Sequence, residues 1–109
     1  MRGELPIPEP CYRDTRSFEM IRAWVAEEGL HVSLNVGVWD KPDSEFTEAS
    51  AWGILLADCA HHIAHALHKD KGTPQEISLR ELRESFLKEF TKPTTEHPGD
   101  FYIEKPKDT

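Results

Sequence analysis

The chain is short of the features that usually name an activity. It has two cysteines, Cys11 and Cys59, too few for a disulfide framework and not placed as a CxxC pair, so both are expected as free thiols. Its six glycines are scattered singly, which leaves no glycine-rich loop to cradle a phosphate and argues against nucleotide chemistry. Basic residues are outnumbered, 13 Lys and Arg against 20 Asp and Glu, for a formal charge of −7. With no Lys/Arg stripe to interrupt it, that balance repels phosphate backbones and anionic lipid, and neither nucleic acid nor a membrane surface is an expected partner. No run approaches the roughly 18 apolar residues of a membrane span. The opening MRGELPIPEP has no apolar signal core, so the expected location is the cytoplasm. Ser33 sits in no nucleophile elbow, and His61-His62-Ile63-Ala64-His65 carries His62 where a zincin helix carries its general-base Glu. No catalytic motif is recognisable, and the question of an activity stays open.

What the chain does have is the make-up of one soluble globular unit: 109 residues, 38% hydrophobic and 30% charged, with three Trp and five Phe. Chains of this size bury about two-thirds of their unfolded surface, enough for one modest core. The expected organisation is a proline-rich N-terminal tail over 1–17, a single domain over 18–103 and a C-terminal tail over 104–109. Leu5-Pro6-Ile7-Pro8-Glu9-Pro10 fixes an extended backbone. It reads as a tail lying over its own domain, or as a proline-rich ligand for another protein.

Period-two alternation of Leu30, Val32, Leu34, Val36 and Val38 against polar neighbours marks a strand. The preceding Phe18–Ala26 is also β-prone, and Glu27-Glu28-Gly29 predicts a hairpin turn using the conformational freedom of Gly29. Register is open. A two-residue loop at Glu28-Gly29 pairs Ile21, Ala23 and Val25 with Val36, Leu34 and Val32 in the core. A three-residue loop with a bulge turns Met20 and Trp24 inward instead, because a slip of one residue exchanges the faces. In both registers the first strand is apolar on both sides and needs covering by helices, by the tail or by a second subunit.

Two helices follow. Thr47 to Lys69 places Trp52, Leu55, Leu56, Cys59, Ile63, Ala66 and Leu67 on one side, with Thr47 as N-cap, Gly72 as stop and Cys59 as a small core residue. Ser78-Leu79-Arg80-Glu81 reads as a capping box with Ile77 stapled on Leu82, opening a helix that buries Leu79, Leu82, Phe86 and Phe90 until Pro93. Phe101-Tyr102-Ile103 is a short edge strand or an apolar clasp. The expected fold is α+β and two-layer: an antiparallel hairpin-based sheet, extended by the C-terminal strand or by dimerisation, packed on the two helices.

The polar side of the first helix holds Asp58, His61, His62, His65 and His68. Imidazoles at i, i+4, such as His61 and His65, can hold a divalent transition metal, so Asp58, His61, His62 and His65 form the candidate metal set. A full site needs a further ligand, from His31, His97 or a carboxylate of the second helix. The plain alternative is a solvated His-rich face. A third reading is a pH-sensitive face, since clustered imidazoles repel once protonated. Trp24 and Trp39 with Met20 are the candidate interface on the spare side of the hairpin; core packing competes for the same residues.

Taken together, His31-Val32-Ser33-Leu34, Trp39-Asp40 with a proline soon after, Ala51-Trp52-Gly53-Ile54-Leu55-Leu56-Ala57-Asp58 and His62-Ile63-Ala64 resemble a family of short bacterial proteins, the domain of unknown function 5076. The resemblance runs from about Met20 into Pro93-Thr94. It implies a small bacterial α+β domain and supplies no activity or catalytic residue; Trp52, Gly53, Asp58 and His62 are the positions it singles out. The reading drawn from the sequence is a non-enzymatic interaction module that forms a homodimer, with a small metal-binding or metal-dependent protein as the alternative.

Overall fold

The structure is a computed structural model and describes residues 3–94 and 101–104. In chain order the elements are α1 (Pro10–Arg13), β1 (Ile21–Ala26), β2 (Gly29–Asn35), α2 (Glu48–Lys71), α3 (Gln75–Thr91) and β3 (Phe101–Glu104). The expected α+β class is present, with a three-stranded open sheet in the order β1-β2-β3. β2 is central, antiparallel to β1 and parallel to β3. The C-terminal segment therefore does extend the sheet, and Glu104, expected to begin a tail, is its last strand residue. Of the expected loop after α3, residues 95–100 lie outside the described residues, as does the tail beyond Glu104.

The hairpin turns one residue earlier than expected. Ala26 pairs with Gly29, leaving Glu27-Glu28 as a two-residue loop in which both residues take positive φ, 50° and 63°. That is the geometry of a type I′ turn, whose twist matches that of the flanking strands. Gly29, expected to supply the left-handed conformation, is instead a buried strand residue. The resulting pairs, Ile21 with Leu34, Ala23 with Val32 and Val25 with Leu30, keep the face assignment of the two-residue reading while sliding the partners by two positions.

The helices form an antiparallel-type hairpin joined by Gly72-Thr73-Pro74. Thr47 caps α2 as expected, its Oγ1 accepting from the Ser50 N–H at 3.0 Å. Gly72 ends the helix at φ 74°, its N–H donating to the His68 carbonyl at 2.8 Å, the left-handed stop that glycine adopts without a Cβ clash. His68 Nδ1 closes the link by donating to the Thr73 carbonyl at 3.1 Å.

α3 starts three residues before the expected capping box. Pro74 stands at its N-cap with no side-chain cap, and Ser78 lies inside the helix. Burial accompanies the shift: Ser78 is 6% exposed and Ala64 of α2 is fully buried, and a small side chain suits a packed position. The proline-rich segment also departs from a purely extended tail, since Pro10 opens the single turn of α1, the one helical position where its missing N–H costs nothing.

Among the described residues the elements touch as β1 on β2, β2 on β3 and α2 on α3. The stripes expected to form the core are therefore only partly covered: Cys59 is exposed, Phe86 and Phe90 are 50% and 72% exposed, Trp52, Leu55, Leu79 and Leu82 are half-buried, and among the described residues Ala64 is the buried apolar side chain.

Candidate functional site

Strand register makes one side of the sheet wholly apolar. Side chains of directly opposed residues share a face, so Ile21, Ala23 and Val25 of β1 lie beside Leu34, Val32 and Leu30 of β2. On the other flank, Val32 and Leu34 lie beside Phe101 and Ile103 of β3. No charged or hydrogen-bonding side chain interrupts this face. It is open at its margins, with Val25 82%, Leu30 54% and Ile103 51% exposed, and half-buried at Ile21, Val32 and Leu34, where a soluble monomer keeps such patches small.

The reverse side is polar, and the N-terminal segment runs along β1, lining one cavity with Ile21 to Val25 from both sides of that strand. Arg22 lies beside Ser33, and Trp24 beside His31. Arg22 holds the Glu4 carboxylate at 2.8 Å and that of Glu19 at 3.1 Å, which ties the segment before α1 to this strand. His31 Nε2 donates to the Ala26 carbonyl at 3.1 Å across the hairpin end.

A third feature joins sheet to helix. After β2 the chain turns at Gly37, whose φ of 101° only glycine adopts readily. Its N–H donates to Glu48 Oε2 at 2.6 Å, and the same oxygen accepts from Trp52 Nε1 at 3.3 Å. Trp39 meets Trp52 edge to face, with ring centroids 5.5 Å apart. One carboxylate in the first turn of α2 thus holds both the loop that leaves the sheet and the indole above it. Sequence reasoning missed this role of Glu48; the i, i+4 spacing to Trp52 was the available signal.

The sequence-predicted residues separate into places. Met20 is half-buried, its carbonyl accepting from the Asn35 N–H at 3.0 Å and extending the hairpin by one rung. Trp24 is on the polar side of the sheet, and Trp39 is in the indole pair. Asp58, His61, His62 and His65 are all exposed on α2. Among the described residues, no group of three or more His, Cys, Asp or Glu stands together as a metal site. Of the candidate further ligands, His31 is engaged at the hairpin end and His97 lies outside the described residues. Gly53 is in α2 with open space where a Cβ would stand. No helix among the described residues is long and apolar enough to cross a membrane.

A solved structure from the photosynthetic bacterium Rhodopseudomonas palustrus, provisionally described as a pyruvate dehydrogenase, shares this architecture. It has a TM-score of 0.61 at 24% identity, covering 87% of this chain and 90% of its own. At that identity the likeness shows the fold, and the activity in its description stays with that protein. No curated protein matches the chain. The model of the domain of unknown function DUF5076 matches residues 4–94, and the chain belongs to that family.

Proposed function

We propose that the chain is a non-enzymatic interaction module that works as a homodimer, with the apolar side of its sheet as the surface covered on association. The observation that carries this is the unbroken, open apolar face formed by β1, β2 and β3. Met20, Trp24 and Trp39, the interface expected from the sequence, would be reached by a partner that wraps the sheet's edge and reverse side. The apolar side is the stronger surface, because water leaves it without stripping a hydrogen bond.

Native mass spectrometry of untagged protein, prepared without a metal column, tests the proposal. The expected species is a dimer with no added mass, converted to monomer or lost from solution by Val32→Asp at the centre of the face. A wild-type monomer at micromolar concentration would defeat it. The metal reading is tested in the same spectrum: the exposed i, i+4 pair of His61 and His65 supports it, and it requires a stoichiometric ion lost on His61→Ala or His65→Ala.

A further inference from the structure

Resting on the homodimer reading, we infer that the two copies exchange layers, with the apolar stripe of α2 from one copy lying on the apolar sheet face of the other. Two open surfaces of complementary kind occur on this chain. The sheet face is one. The other is the side of α2 carrying Leu56, Cys59, Ile63 and Leu67, spaced by three and four residues, in which the three larger side chains are 38–46% exposed and the Cys59 thiol is exposed. In a two-layer α+β fold each is what the other packs against, yet within one chain the elements of the sheet and the helices do not touch among the described residues.

Dimensions and area favour exchange over two sheets meeting face to face. Three strands about 4.8 Å apart and roughly 20 Å long present only about 300 Å² in outline. A standard interface takes about 800 Å² from each partner. A sheet-on-sheet dimer covers one open surface per copy and leaves α2 wet. Reciprocal exchange covers both surfaces of both copies under a single two-fold, as a closed isologous dimer requires. The 24 residues of α2 make a rod about 36 Å long, more than enough to cross the sheet. The junction of Gly37, Glu48 and Trp52 anchors the start of that rod to its own sheet, so that it leaves in a set direction.

Mixed-chain cross-linking tests this. One chain carries Cys11→Ser, Cys59→Ser and Val32→Cys, with its thiol at the centre of the sheet face; the other carries Cys11→Ser alone, with the native Cys59 thiol on the α2 stripe. The two are refolded together and treated with a short bismaleimide, and native mass spectrometry before treatment records the dimer. The expected product joins the two different chains through positions 32 and 59. A dimer that gives no mixed product, or that links two position-32 thiols instead, overturns the exchange and leaves the homodimer standing. A monomeric mass before treatment overturns both.

Discussion

Two glutamates hold the hairpin in a conformation that side chains resist. Glu27 and Glu28 sit at φ 50° and 63°, where a residue with a Cβ is disfavoured by roughly 1–2 kcal/mol. Asn-Gly carries a type I′ turn with much less strain. Replacing Glu27-Glu28 by Asn-Gly is therefore expected to stabilise the fold by about 1–2 kcal/mol, read as a higher urea midpoint at unchanged slope and fixed protein concentration. A lower midpoint would place the turn elsewhere. The Glu48 carboxylate is the opposite case, a single group serving two donors on separate elements. Glu48→Ala leaves the Gly37 N–H and the Trp52 indole without it, at an expected cost of about 1–3 kcal/mol. Glu48→Gln keeps an acceptor and should cost clearly less. Equal losses in urea titrations of the two variants would show that the bond does not hold the junction.

At the scale of elements, cap and contact trade places between the two helices. Thr47 was legible as a cap because its position before an apolar period and its hydroxyl agree, and its side chain does accept from Ser50. Ser78 satisfied the same pattern with Glu81, yet it lies a turn inside α3 and is buried. A local pattern cannot register that another helix approaches within reach of a small side chain. Thr47→Ala is expected to cost about 1 kcal/mol, whereas Ser78→Ala, which removes no cap and adds no atom at a buried position, should cost clearly less. A cost at Ser78 as large as at Thr47 would restore the capping box. The helices' large apolar residues were assigned correctly to stripes, but the expected burial of Cys59, Phe86 and Phe90 required a covering layer that the helix pair does not supply.

For the whole molecule, the radius of gyration of 16.2 Å exceeds the roughly 13 Å of a compact domain of this length. Among the described residues Ala64 is the one fully buried apolar side chain, so these elements have little core of their own to stand on. Folding and association should then be one event, and stability should depend on concentration. The midpoint of thermal unfolding is expected to rise by several degrees between micromolar and hundred-micromolar protein, and Val32→Asp should abolish that rise. A midpoint independent of concentration would mean that the single chain is stable as it stands.

The sequence by itself determined the α+β class, the hairpin, the cap and stop of α2, and the element of most large apolar residues, although Val36 and Val38, expected in the strand, lie in the turn after β2, and Ile77, expected before the second helix, lies inside α3. These follow from periodicities of two and of about 3.6 and from single-residue stereochemistry, all of which act over one or two turns of chain. The tertiary structure alone decided that the turn falls on Glu27-Glu28, that β3 joins β2 in parallel, that Ser78 packs rather than caps, and that Glu48 ties the sheet to α2. Each depends on groups brought together from distant positions, where side-chain size and the direction of approach select among patterns that are locally equivalent.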